Sequence, residues 1–182
     1  MAESARIARS FAETLTHYRN LRLLSHQLTE QEYSHLGVRL SDIQLQDTLE
    51  ADKWSWSDPE KTPIWTWSRM YEAYRSARGA KRFDVALRAG GGLQALCYGI
   101  PSRRRLILKL HALSRSPLGN PLQGQVFQIV LFAAGTYASF LGSQELWLMH
   151  PQTDGVAQYY ARFGFHYHRD RSGQITHMTT KL

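Results

Sequence analysis

The sequence predicts an α/β (α+β) fold: a mixed, mainly antiparallel central sheet flanked by helices, behind a helix-rich N-terminal part. Three observations predict it. Helical spacing dominates as far as residue 80, strand-forming runs begin at Arg82, and the later strands are interleaved with two apolar helix patterns.

From Glu3 to about Leu28, the residues Ile7, Phe11, Leu15, Tyr18, Leu21 and Leu24 recur at helical steps, as one apolar face should. A second short helix is expected from Thr29, where TEQE has the form of a capping box, and Gly37 should stop it. Residues 41–49 fit neither period. The segment WSWSDPEKTP, with two prolines, reads as a loop, and IWTWSRMYEAYRSAR as a helix ending at Gly79.

RFDVALRA and LQALCYGI flank the turn material AGGG and should pair as a hairpin. LILKLHALS then makes a third strand, with Leu106, Leu108, Leu110 and Ala112 expected on one face and Ile107, Lys109, His111 and Leu113 on the other. After SRSPLGNPLQGQ comes the apolar helix VFQIVLFAAGTYASFLG, closed by a glycine. ELWLMHP is a short buried strand, TDGVAQYYARFG a helix, and FHYHRD with QITHMTTKL a closing strand pair around RSG.

A chain of 182 residues, 43% hydrophobic, can bury one substantial core, so residues 1–182 are expected to form a single domain. Within it, 1–80 is the helix-rich part and 81–182 the meander and core. The single cysteine, Cys97, permits no internal disulfide and fits a reducing, cytoplasmic setting. No apolar run reaches membrane-spanning length, and residues 1–20 lack a signal-like apolar core, so no membrane role is expected. The net charge of +7 favours phosphate-bearing partners. Nucleic acid stays open as a partner but is not favoured, because no finger, basic repeat or RNA-binding motif accompanies that charge.

Three features of residues 80–182 resemble the GNAT N-acetyltransferase superfamily: a strand and loop leading straight into an apolar helix (LHALSRSPLGNPLQGQVFQIVLFAAGTYA), the run ELWLMHPQTDGVAQYYARFGF, and the final strand HMTTKL. In the second, Tyr160, Gly164 and Phe165 fall at the family spacing, with Asp154 and Ala157 upstream. The resemblance implies an N-acyltransferase that moves an acetyl group from acetyl-CoA directly to the amine of a small-molecule or protein acceptor, and it leaves homodimerisation open. It places the pantetheine arm beside Leu113, Ser114 and Arg115, bound as a pseudo-strand where two parallel strands splay. The pyrophosphate falls at Gly119, Asn120, Gln123, Gly124 and Gln125, where a helix start offers amides. Asp154 and Tyr160 fall near the adenine side. Pro121 stands where the family's loop has a basic or amide residue, and Val126 where it has a small one. These departures, and the absence of a glutamate from the meander, support a second reading: a catalytically inactive GNAT-like binding module contacting nucleic acid or a protein.

For the chemistry, Tyr160 is the expected general acid toward the leaving thiolate, and Tyr159, Tyr160 and Phe163 compete for packing on one helix. His111, with an intrinsic pKa suited to the task, is the candidate base, with Asp84 second. His166, His168 and His177 can share a face of the closing hairpin, without a carboxylate or thiol to complete a metal set. Cys97 reads as a core filler, Arg103–Arg105 as a solvated turn, and the tryptophans as anchors for the long loop or walls of an acceptor pocket.

Overall fold

The computed structural model describes residues 11–54, 65–77, 79–117, 119 and 121–182. Residues 3–10 of the first expected helix, most of the WSWSDPEKTP loop, and Asn120 lie outside them. Helix α1 (Phe11–Glu32) leads through a 3₁₀ turn to strand β1 (Arg39–Ser41). Helices α2 (Leu45–Ala51) and α3 (Trp67–Ala77) follow, and then β2 (Phe83–Ala89), β3 (Gly92–Pro101), β4 (Ile107–Arg115), α4 (Val126–Leu141), β5 (Glu145–Met149), α5 (Asp154–Ala161), β6 (His166–Arg169) and β7 (Ile175–Lys181).

The strands form one sheet in the order β1-β2-β3-β4-β5-β7-β6. Every pairing is antiparallel except β4 with β5, which run parallel from Ile107 opposite Glu145 to Leu110 opposite Leu148. One face packs on α1, α4 and α5 through Phe83, Val85, Leu108, Leu110, Ile129 and Met178. The other packs on α2 and α3 through Ile43, Trp67, Ala86, Leu96, Tyr98 and Ala112.

Two sequence expectations fail in α1. The helix runs unbroken through Thr29, so no second helix starts there; the Thr29 hydroxyl donates 2.7 Å back to the Ser25 carbonyl instead of capping. The buried stripe is also a different one. Leu15, Leu24 and Leu28 are exposed, whereas Tyr18, Arg22, Ser25, His26 and Thr29 are buried. Arg22 has acidic partners on the sheet side, and their attraction sets the helix's rotation over the apolar period. Gly37 ends the 3₁₀ turn at φ +61°, as expected of a left-handed stop.

The third strand also departs from simple alternation. Tyr98 pairs with Ala112 but Gly99 with Leu110, so His111 is the extra residue of a β-bulge. The bulge swaps faces: Leu108, Leu110 and Leu113 pack toward α4, while Ala112 and Ser114 turn with His111 toward α3, and Leu106 lies exposed before the strand. Gly99 permits this tight approach. A Cβ there would stand 2.8 Å from Leu110 Cδ2 and 2.9 Å from the Lys109 carbonyl oxygen. Gly99→Ala is therefore expected to cost about 1–3 kcal/mol in denaturant unfolding; an unchanged midpoint would show that the strands part freely here.

Candidate functional site

The β4–β5 ladder ends at Leu110 and Leu148, yet β4 continues to Arg115. A bulge adds local twist, and the bulged His111 sits at the point where pairing stops. Beyond it, β4 is paired only with β3, from Ala112 opposite Tyr98 to Arg115 opposite Ala95. The backbone of residues 112–115 on the β5 side thus has no strand partner among the described residues. Of the residues expected here, Leu113 packs into the α4-side core, Arg115 is exposed, and the Ser114 hydroxyl accepts a 2.6 Å hydrogen bond from Trp67 Nε1. That bond ties α3 to the end of β4, which fits Trp67 as an anchor.

The loop after β4 turns into α4 at a height fixed by Leu122, which is 1% exposed and belongs to the core. Pro121 packs toward the β2–β3 turn, within 3.4 Å of where a Gly90 Cβ would stand. Gly119 and Gly124 take positive φ (+51° and +83°), which glycine adopts without strain. One sequence expectation needs correction: the Gln125 amide is not free, because it bonds the Leu122 carbonyl at 2.9 Å, as does Val126 at 3.2 Å. Among the described residues the amides of Gln123 and Gly124 have no hydrogen-bond partner, nor do those of Phe127 and Gln128, whose helical acceptors would lie in the turn. Four free N–H groups at the start of a 16-residue helix, with the positive end of its dipole, form an anion-binding surface. Val126 does not intrude on it, being buried toward the core. Phe127 and Gln128 were missed because no residue type marks an amide as free.

Tyr160 lies partly buried in an aromatic cluster, its ring 4.6 Å from that of Phe127, with Tyr159, Phe163 and Phe165 around them. Burial, aided by nearby Cys97 and Tyr159, pushes its phenol well above the ordinary range, so it stays protonated at neutral pH. Cys97 is opposite Leu113, which places Tyr160 beneath β3 and β4 on the α4 side. Cys97 itself is fully buried, and burial raises its thiol far from the reactive range. Asp154 stands apart from this group: it lines a hollow of about 230 Å³ with Gln158, Tyr167, Arg169 and Ile175.

The α3 side of β4 carries a second group. His111 lies 5.7 Å, ring to ring, from Tyr74, which packs 4.1 Å from Tyr98. The Tyr98 hydroxyl is buried with no hydrogen-bond partner among the described residues. Asp84, the second candidate base, is 1% exposed and committed to structure: it pairs with Arg22 at 3.0 Å and Arg82 at 3.2 Å and accepts the Ile43 amide. Further along this face Lys109, Trp147, His177 and His168 form a ladder, with Trp147–His177 centroids 4.3 Å apart and His177–His168 4.5 Å apart at an interplanar angle of 2°. The two imidazoles stack face to face, and His166, paired with Thr179, lies on the same side. The arginines of the 103–105 turn are exposed. No described helix is long and apolar enough to cross a membrane.

No protein-family model matches the chain, and no curated protein sequence matches it. Solved structures do. Ard1 from Thermoplasma volcanium superposes with a TM-score of 0.60 at 10% identity, over 80% of this chain and 97% of that one. The PaiA N-acetyltransferase from Thermoplasma acidophilum, in complex with coenzyme A, gives 0.59 at 14%, over 80% and 99%. The ribosomal-protein-S18-alanine N-acetyltransferase from Escherichia coli gives 0.55 at 14%, over 80% and 92%. With the antiparallel meander, the single parallel pair and the helix that opens below it, these superpositions establish that the chain has the GNAT N-acetyltransferase fold.

Proposed function

We propose that the protein is an acyl-CoA-dependent N-acyltransferase that uses acetyl-CoA and transfers its acetyl group directly to an amine. The observation that carries this reading is the alignment of two backbone surfaces that lack partners among the described residues, the edge of residues 112–115 and the amides of Gln123, Gly124, Phe127 and Gln128. An amide-rich pantetheine arm fits the first as a pseudo-strand, and a pyrophosphate fits the second. Acetyl-CoA, when bound, supplies an activated thioester.

The chain's own residues then have three tasks. The β4 edge holds and polarises the thioester between the strands. Tyr160, on the α4 side, keeps its proton and donates a hydrogen bond to the departing sulfur. A thiolate of ordinary pKa near 8.5 cannot fully deprotonate a phenol held above 10, so this is stabilisation of the leaving charge before complete proton transfer. The opposite face, with Tyr74, Tyr98, His111 and Trp147, receives the amine. In the basic setting of this chain the acceptor is a neutral or acidic small molecule or a protein amine.

Saturating acetyl-CoA should raise the unfolding temperature, since a ligand at about 100 times its Kd adds about 2.7 kcal/mol to the native state. Tyr160→Phe should keep that shift and lower turnover about 10- to 100-fold. Absence of any shift would remove the acyltransferase reading in favour of a GNAT-like binding module. Equal turnover would remove Tyr160 from the reaction.

A further inference from the structure

Resting on the acyltransferase reading, we infer that His177, on β7, takes the acceptor amine's proton through its Nε2, and that Thr176 is the positioning residue that turns this lone pair toward the acceptor. The sequence points to His111 on β4 for that role, but the hydrogen bonds of β7 single out His177.

The Thr176 hydroxyl has one proton, and it donates that proton to the His168 carbonyl at 3.1 Å. The same oxygen lies 2.9 Å from His177 Nδ1, so there it must accept, and Nδ1 must carry the ring's hydrogen. Neutral His177 is therefore the Nδ1–H tautomer. Its Nε2 is an unprotonated acceptor with no hydrogen bond among the described residues. Trp147 on one side and His168 on the other hold the ring parallel to themselves and fix its plane.

Its position suits the reaction. His177 pairs with Met149, the first β5 residue beyond the last β4–β5 pair, so it stands one strand spacing, about 4.8 Å, from the β5 edge of the gap. There His150 turns the chain at φ +46°, a left-handed conformation uncommon for a residue with a side chain. The groups around His177 are Lys109 from β4, His150 at the end of β5, and His168 with its neighbour His166 from β6; the Glu145–Lys181 pair lies four residues further along β5 and β7. Burial and then the charges of His168, Lys109 and His150 hold the imidazole below its ordinary pKa, which keeps it neutral at pH 7. Glu145 is occupied by Trp147 Nε1 at 2.6 Å.

In the step, Nε2 accepts one proton from the acceptor ammonium, and the freed lone pair attacks the thioester carbonyl carbon. The C–N bond forms and the C–S bond breaks. Sulfur leaves with the bonding electrons as a thiolate that the Tyr160 hydroxyl stabilises by a hydrogen bond, the second ammonium proton passes to water, the thiolate takes a proton from water, and the imidazolium returns its proton to water.

Long-range ¹H–¹⁵N spectra of the full chain test the assignment. His177 is expected as the Nδ1–H tautomer, titrating below 6.5, and acetyl-CoA should shift its resonances; an Nε2–H tautomer overturns the proposal. In Thr176→Val the tautomer preference should be lost while the fold is kept. Thiol release from acetyl-CoA with water as the acceptor should fall at least about tenfold in His177→Gln; an equal rate overturns the proposal. If acetyl-CoA moves the amides of Gln123, Gly124 and Phe127 but not His177, the His177 role falls and the acyltransferase reading stands. If it moves neither, both fall.

Discussion

Replacing Arg22 with methionine is expected to lower the unfolding free energy by about 3 kcal/mol, at the low end of what removing one partner of a buried ion pair costs. Arg22 is 3% exposed and holds Asp42 with two bonds, at 2.6 and 2.7 Å. It also approaches Asp84 at 3.0 Å and donates to the Arg82 carbonyl. Burial works against the ionised form of Asp42, yet the guanidinium outweighs it and holds the carboxyl below the usual range. Without Arg22, two carboxylates face each other on the inner side of α1. Arg82 still reaches Asp84 at 3.2 Å, and Asp42 is partly open to water, which keeps the loss from the top of the range. Urea unfolding at pH 7 measures it. The double variant Arg22→Met, Asp84→Asn should recover part of the loss, because it removes the unbalanced charge with its partner. A loss below about 1 kcal/mol, with no recovery in the double variant, would show that the network is held for geometry and not for stability.

This network explains where the sequence was legible and where it was not. From Phe83 onward, apolar period and turn glycines located every strand and helix, because those elements are specified by burial of their own side chains. The first strand, of three residues, was not legible: β1 is held by its pairing with β2 and by Glu30, which accepts the Leu40 amide at 2.6 Å. Neither contact leaves a local pattern. In α1 the leucines formed a plausible face, and the true one is polar because Arg22 and His26 are satisfied by groups far away in sequence, while Ser25 and Thr29 bond to carbonyls one turn back in the helix. Periodicity registers apolar burial and is blind to paired charge.

The candidate site divides in the same way. YYARFGF marked Tyr160, and the helix after SRSPLGNPLQGQ marked the amide-rich turn, since both depend on order along the chain. The bulge at His111 depends on which residue of β3 opposes which of β4, and it reversed the expected faces of Ala112 and Leu113. The free amides of Phe127 and Gln128 depend on turn geometry, and the tautomer of His177 on one hydroxyl proton. Such features are consequences of the folded backbone, legible only once the strands are in register.

Acidification should destabilise the protein between pH 6.5 and 4, chiefly through the buried His26. His26 is 2% exposed, and its Nε2 donates 3.1 Å to the Asp84 carbonyl, so its Nδ1 is the unprotonated nitrogen. That atom is buried without a partner among the described residues. Protonating it would bury both a charge and an unmatched donor, and burial above all pushes the imidazole down to about 4, with Arg22 lowering it further against the pull of Asp42. Between about 4 and the ordinary 6.5 the unfolded chain binds a proton that the native chain refuses, so stability falls as pH falls, by about 1.4 kcal/mol per pH unit and about 3 kcal/mol in all. Below pH 4 this group contributes no further loss. Asp42, held lower by Arg22, begins to lose its ion pair only there, which separates the two windows. Urea midpoints measured from pH 7.5 to 4 should show the slope, and His26→Leu should flatten it while costing stability at neutral pH through the lost bond to Asp84. If the variant keeps the full slope, the acid sensitivity belongs to another group and His26 is not the buried neutral histidine that its hydrogen bond requires.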